Sequence, residues 1–220
     1  MKKTLAFLTV LTAMNTHAAD IDISITNATK GIFFTPILIA AHSSSSHLFR
    51  TGESATTELE AMAEGGDISG LSSMVTNAGG MVVSDPASGI LNPGISATAS
   101  MNTGSLDRLS ITAMLLPTND GFVGLDSWEI PSAAGTYTFT LNSYDAGTEA
   151  NDELAGSMPN PPFITFGSGG SGVETAVSNN KVHIHPGNIG DSNATGGLSD
   201  LSNTAYRWLN PVAIVTVTVK

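Results

Sequence analysis

The chain has 220 residues, 41% of them hydrophobic, no cysteine, and a formal net charge of −11 from 19 acidic and 8 basic side chains. Without cysteine no disulfide can brace the fold, so apolar burial, with a bound metal as the remaining aid, has to hold it together. The lack of any basic cluster argues against nucleic-acid binding, and the acidity opposes docking on anionic membranes unless a divalent cation bridges the two.

The first residues read as a secretory signal. Lys2 and Lys3 form a basic start, residues 5–11 a short apolar core, and Ala18 or Ala19 the small residue before a cut. Domain boundaries of 1–19 for the signal and 20–220 for a single mature domain follow. Removing the two lysines moves the formal charge to −13. No later run approaches the roughly 20 apolar residues of a transmembrane segment. The expected location is therefore secreted or periplasmic.

Residues 21–27 alternate apolar and polar, the pattern of a half-buried strand. Residues 32–40 are more continuously apolar, and Pro36 belongs at an edge or bulge because it cannot donate to a ladder. Ser43 to Ser46 form a polar loop. Residues 54–64 predict a helix, capped by Ser54 or Thr57, with Leu59, Met62 and Ala63 on its apolar stripe and Gly65-Gly66 ending it. A second helical turn is predicted over 69–75.

Strands are predicted at 81–84, 95–101, 106–116, 136–141, 181–185 and 211–219, the last burying Val212, Ile214 and Val215. Between them lie turn signals, an apolar island at 163–166 and a glycine-rich loop at 167–172. Short strands separated by turns, with one or two short helices, indicate an all-β antiparallel β-sandwich.

Six acids crowd into two segments read as loops flanking the strand 136–141: Asp120, Asp126, Asp145, Glu149, Asp152 and Glu153. Like charges held close repel unless a cation screens them. Asp145 and Glu149 stand four apart across Gly147, which lets the loop curl, and Gly121 beside Asp120 allows close backbone approach. Carboxylates and carbonyls are the ligands of a hard cation such as calcium. The alternative is turn chemistry, with Asp120 in a Thr-Asn-Asp-Gly turn and Asp145 bonding to backbone donors.

Asp120-Gly121-Phe122-Val123-Gly124-Leu125-Asp126-Ser127, followed by Tyr144-Asp145-Ala146-Gly147-Thr148-Glu149, resembles the spondin domain of F-spondin and mindin. Further similar stretches are Thr35-Pro36-Ile37-Leu38-Ile39-Ala40-Ala41-His42, Leu59-Glu60-Ala61-Met62-Ala63-Glu64-Gly65 and Asn210-Pro211-Val212-Ala213-Ile214-Val215-Thr216-Val217. The resemblance covers nearly the whole mature chain and looks like the bacterial, stand-alone branch. It implies a β-sandwich akin to calcium-dependent membrane-binding domains. It also implies a calcium ion held by Asp120, Asp145 and Glu149, where animal members have Asp at the last position. Animal members act in extracellular-matrix adhesion, so the partner implied here is an extracellular or cell-surface ligand, not otherwise identified.

A second reading uses histidine. His183 and His185 are two apart on a predicted strand and share a face, so with His42 they are candidates for zinc or copper, and for catalysis if a coordination position stays open. The plain counterpart is a solvated pair with Ile184 in the core. Asp126 and Asp152 are secondary metal candidates. No nucleophile elbow, phosphate loop or nucleotide fingerprint occurs, so no catalytic residue is assigned and no enzyme is expected.

Overall fold

A computed structural model describes residues 19–160, 170–171, 180–193 and 197–220. The expected signal, apart from Ala19, lies outside these residues, as do the island at 163–166 and most of the loop at 167–172.

Alternation builds the first half of the fold. In β1 (Asp20–Asn27) the isoleucines at 21, 23 and 25 are buried while the residues between them are not. The strand pairs antiparallel with β12 (Ala213–Val219) on one side and with β5 (Ser96–Asn102) on the other. In β12 the buried set is Ala213, Val215, Val217 and Val219, so Ile214 faces solvent and the expectation of a buried Ile214 is corrected. Pairing with β1 sets this phase, because Ile214 lies opposite Thr26 on the outer face.

The second half is buried on both sides. β6 (Arg108–Leu116) is flanked by β3 (Leu38–His42) and β7 (Gly121–Glu129), and nearly all of it is buried. Leu109, Ile111, Ala113 and Leu115 join β1 and β12 in one core. Met114 and Leu116 join a second core with Leu59, Met62, Leu71 and Val75, which come from α1 (Thr57–Gly65) and α2 (Ser69–Asn77). The helix pair thus covers the outer face of the sheet. α1 is capped by Thr56, whose hydroxyl accepts from the Leu59 amide at 3.2 Å, between the expected caps Ser54 and Thr57. Gly66, at φ 69°, ends it.

The remaining strands complete an all-β, sandwich-like architecture with two short helices. β2 (Phe33–Phe34) pairs with β6, β4 (Met81–Ser84) with β3, and β8 (Gly135–Asp145) bridges β7 to β12. β9 (Pro159–Asn160) pairs with β10 (Gly170–Ser171), and β11 (His183–Ile184) with the end of β8. The main sheet runs β4-β3-β6-β7-β8-β12-β1-β5.

Residues 121–127, read as a loop, are strand. Phe122 faces the helix-covered core and Val123 the inner core, so a run without simple alternation is a strand buried on both faces. Phe122 packs with Phe49 and Tyr144, ring centroids 5.0 and 5.6 Å away. A methyl group at Gly124 would stand 2.6 Å from the Phe49 ring and 2.9 Å from that of Tyr144. Those rings are locked by each other, so Gly124→Ala should destabilise the fold by about 1–3 kcal/mol through overpacking. Chemical denaturation should register this as a lower midpoint with unchanged slope.

Candidate functional site

The tight connection from β6 to β7 positions the acid end. Thr118 donates from Oγ1 to the Leu115 carbonyl at 2.6 Å and accepts from the Gly121 amide at 3.0 Å. This holds Asp120 immediately before β7. In the ladder Gly121 lies opposite Asp145, the last residue of β8, so Asp120 and Asp145 are neighbours on adjacent strands. Both are fully buried, and Glu149 nearly so.

The loop after β8 wraps over them. Asp120 Oδ2 accepts from the backbone amides of Thr148 (2.8 Å) and Glu149 (3.0 Å) and from the Thr148 hydroxyl (3.2 Å). Asp120 Oδ1 is buried without a hydrogen-bond partner. Asp145 Oδ1 accepts from the Gly147 amide at 2.7 Å, with Gly147 at φ 75°, and its Oδ2 accepts from Asn151 Nδ2 at 2.5 Å. Burial, and then the neighbouring Asp145 charge, raise the Asp120 pKa above the ordinary carboxylate value. No lysine or arginine among the described residues forms an ion pair with either acid.

These features fit a hard cation in donor type and charge: two buried carboxylates, one oxygen left over, and a third acid nearby. Among the described residues, however, no three His, Asp or Glu side chains already stand arranged as a metal-ligand set. The carboxylates of Asp120 and Asp145 are turned in part onto backbone and amide donors.

The histidines divide. His183 lies opposite Asp145, its Nδ1 2.9 Å from the Lys181 carbonyl, to which it donates, and 3.5 Å from Asp145 Oδ1. His185 is buried, and its Nδ1 accepts from the Gly187 amide at 3.0 Å. The proton of the neutral ring then sits on Nε2, which has no partner and in this tautomer no lone pair for a metal. Ile184 between them is 45% exposed, so the expectation that it points to the core is corrected. It is the histidine at 185, stacked 5.0 Å from Trp208, that faces inward.

His42 is not brought to them. It pairs with Arg108 at the other end of β6, where its Nε2 meets Ser110 Oγ at 2.7 Å and its Nδ1 the Ser43 carbonyl at 2.8 Å. Asp126 also lies away from Asp120, six residues and about 20 Å further along the chain. Its Oδ2 is 2.9 Å from His47 Nδ1, and Ser127 Oγ is 2.9 Å from that same nitrogen. A serine-hydrolase relay needs the acid and the serine on opposite ring nitrogens, so this cluster is not one. Ser127, at φ 53°, sits where the β6–β7 register shifts, and its amide donates to Ser110 Oγ at 2.9 Å. Asp152 uses one oxygen structurally, with Oδ1 accepting from the Leu154 amide and Ser157 Oγ in its own loop and from Asn119 Nδ2 in the β6–β7 turn.

Sequence reasoning did not single out Asn151 or Thr118, which orient the acid pair. Asn151 carried a weak signal, being an amide in the same loop six residues after Asp145. Nor did it find the buried polar chain in which Trp208 Nε1 donates to Ser143 Oγ (3.1 Å) and Ser143 Oγ to Asn210 Oδ1 (2.9 Å).

Fold and acid end together define a β-sandwich-type module with buried carboxylates at one end. The family model Spondin_N matches residues 12–162, and the chain belongs to the spondin-domain family. Spondin domains are typically extracellular, and no helix among the described residues is long and apolar enough to cross a membrane. No curated relative matches the chain.

Burial pushes the His185 pKa down to about 4, with Asp145 and Glu153 opposing the shift and His183 adding to it. The unfolded chain, at about 6.5, then binds more protons than the folded one between those values. His185's contribution to stability is therefore full above about pH 6.5 and lost as pH falls toward 4, by at most about 3 kcal/mol. Thermal melts across that window should show the loss. His185→Asn, which keeps an acceptor for Gly187 but cannot titrate, should flatten it.

Proposed function

We propose that the chain is an extracellular, non-enzymatic binding or adhesion module whose acid end takes a calcium ion. The observation that carries this reading is Asp120 Oδ1, a buried carboxylate oxygen without a partner beside a second buried carboxylate. Desolvation and mutual repulsion disfavour two ionised acids there, and a divalent cation offsets both. Asp120, Asp145 and Glu149 would hold the ion. Calcium would supply charge neutralisation and fix the loop after β8 against the β6–β7 turn, shaping a surface for a partner. Membership in the spondin family supports the extracellular setting.

Two observations disfavour the zinc or copper reading of His183 and His185: the acceptor role of His185 Nδ1, which leaves the proton on its Nε2, and the place of His42 at the other end of β6. A melt series with chelator, calcium and zinc separates the ions, since a ligand that binds only the native state raises the melting temperature. Calcium should raise it and zinc should not. Asp120→Asn removes one of two repelling charges while keeping an acceptor for Thr148 and Glu149. It should melt at least as high as the parent in chelator yet lose the calcium response. A parent indifferent to calcium, or an Asp120→Asn protein that still responds, would overturn the reading.

A further inference from the structure

The loop that leaves the acid end runs on into a groove of about 470 Å³. Asp152, Glu153 and Asp191 supply its acids, and Ile189 and Leu198 its apolar walls. The backbone holds two of these acids rigidly. Glu153 accepts from the amides of Ile189 (2.6 Å) and Gly190 (2.8 Å) through its two oxygens. Asp191 accepts from the amides of Asn193 (2.8 Å), Leu198 (3.0 Å) and Ser199 (3.2 Å), bonds that keep its carboxyl below the ordinary range and so ionised. A methyl group at Gly197 would run into the Asp191 carboxylate, which explains glycine at that left-handed position.

Among the described residues the hydrogen bonds to Asp152, Glu153 and Asp191 come from neutral N–H or O–H donors, and no ion pair joins them. Fixed negative charge lining a concave surface focuses the field on whatever enters it. At the same time Ile189 is 76% and Leu198 93% exposed, the two most exposed large hydrophobic side chains described. Two aliphatic side chains lining one groove and rimmed by charge form the kind of apolar surface that a partner can cover.

We propose that this groove binds a polypeptide segment of a partner protein that carries arginine or lysine next to aliphatic side chains. Charge complementarity selects this occupant. A second copy of a chain at −11 meets like charge, and an anionic lipid surface is repelled in the same way. Among the described residues no set of three metal-ligating side chains stands here. The cation would meet Asp191 and Asp152 while the aliphatic neighbour covers Ile189 and Leu198. The inference rests on the reading of the chain as a binding module, but it uses none of the proposed calcium ligands.

The test is selection of a displayed random twelve-residue peptide library on the immobilised mature protein in calcium, followed by affinity measurements on the enriched peptides. Enriched sequences should place Arg or Lys beside Leu, Ile or Val, and their affinity should fall as salt rises. Binding to an Ile189→Ser, Leu198→Ser double variant should weaken at least tenfold, and to Asp191→Asn at least fivefold. The serine variant changes only exposed side chains, so an unchanged melting temperature separates lost binding from lost fold. No enrichment, enrichment without cationic residues, or equal binding to the serine variant would overturn the proposal. A failed selection beside an intact calcium shift removes the groove alone, and a successful one without any calcium shift removes the ion alone.

Discussion

Asp120 and Asp145 repel each other, and their proximity is imposed by backbone register rather than by attraction. Gly121 lies opposite Asp145 because β7 is locked between β6 and β8, and that lock comes from two cores, one on each face of the sheet. Burial at about 25 cal/mol per Å² of apolar surface, summed over such cores, far exceeds the cost of a single unfavourable carboxylate pair. The sheet can therefore hold charge where charge alone would not settle. Amides from Gly147, Thr148 and Glu149 reduce the cost without removing it, since Asp120 Oδ1 remains unmatched.

Much of this architecture was legible. The isoleucine alternation of β1 and the apolar stripe of α1 each matched the burial found. What misled was double-sided burial. Residues 121–125 have neither strict alternation nor a continuous branched run, because Gly124 makes room for the Phe49 ring, and without that ring in view the segment reads as a glycine-bearing loop. Ile214 and Ile184 failed for the opposite reason. Hydrophobicity suggested burial, but the ladder phase set by β1 and β8 turns both outward. Strand phase is a tertiary fact that an isolated short apolar segment does not encode.

The acid end was legible only in composition. Crowded carboxylates beside glycines pointed to residues 120, 145 and 149; Asp120 and Asp145 stand side by side at the β7–β8 ladder, and Glu149 reaches Asp120 through its backbone amide. Asp126 did not join them, and the reason lies in the motif itself. Asp120 through Ser127 is the last turn residue and most of β7, and its two ends serve different places. Its start supplies a buried acid beside Asp145. Its end supplies Asp126 and Ser127 at the irregular register opposite Ser110, where His47 and His42 gather. Eight contiguous residues thus tie the acid end to the far end of the sheet. This explains how a short motif can be long in sequence signal yet contribute only one residue to a local site.

The acids of the loop after β8 separate by what the backbone asks of them. Asp152, Glu153 and Asp191 each satisfy several amides or hydroxyls, so their first task is to shape the loops that form the groove. Their charge is a by-product of that shaping, yet at Asp152 and Asp191, which are not buried, it is available to a partner, whereas Glu153 is buried. Asp120 is the reverse case. One oxygen is used by the loop, and the other is sealed away from both water and protein donors. Carboxylates that are capped and solvent-facing suit reversible recognition of a cationic side chain, because neither partner has to be dehydrated fully. A carboxylate that is buried and half-capped suits an ion that can shed its water and stay. Asp120 on one side, and Asp152 with Asp191 on the other, are thereby two distinct kinds of negative charge, and the difference between them is burial.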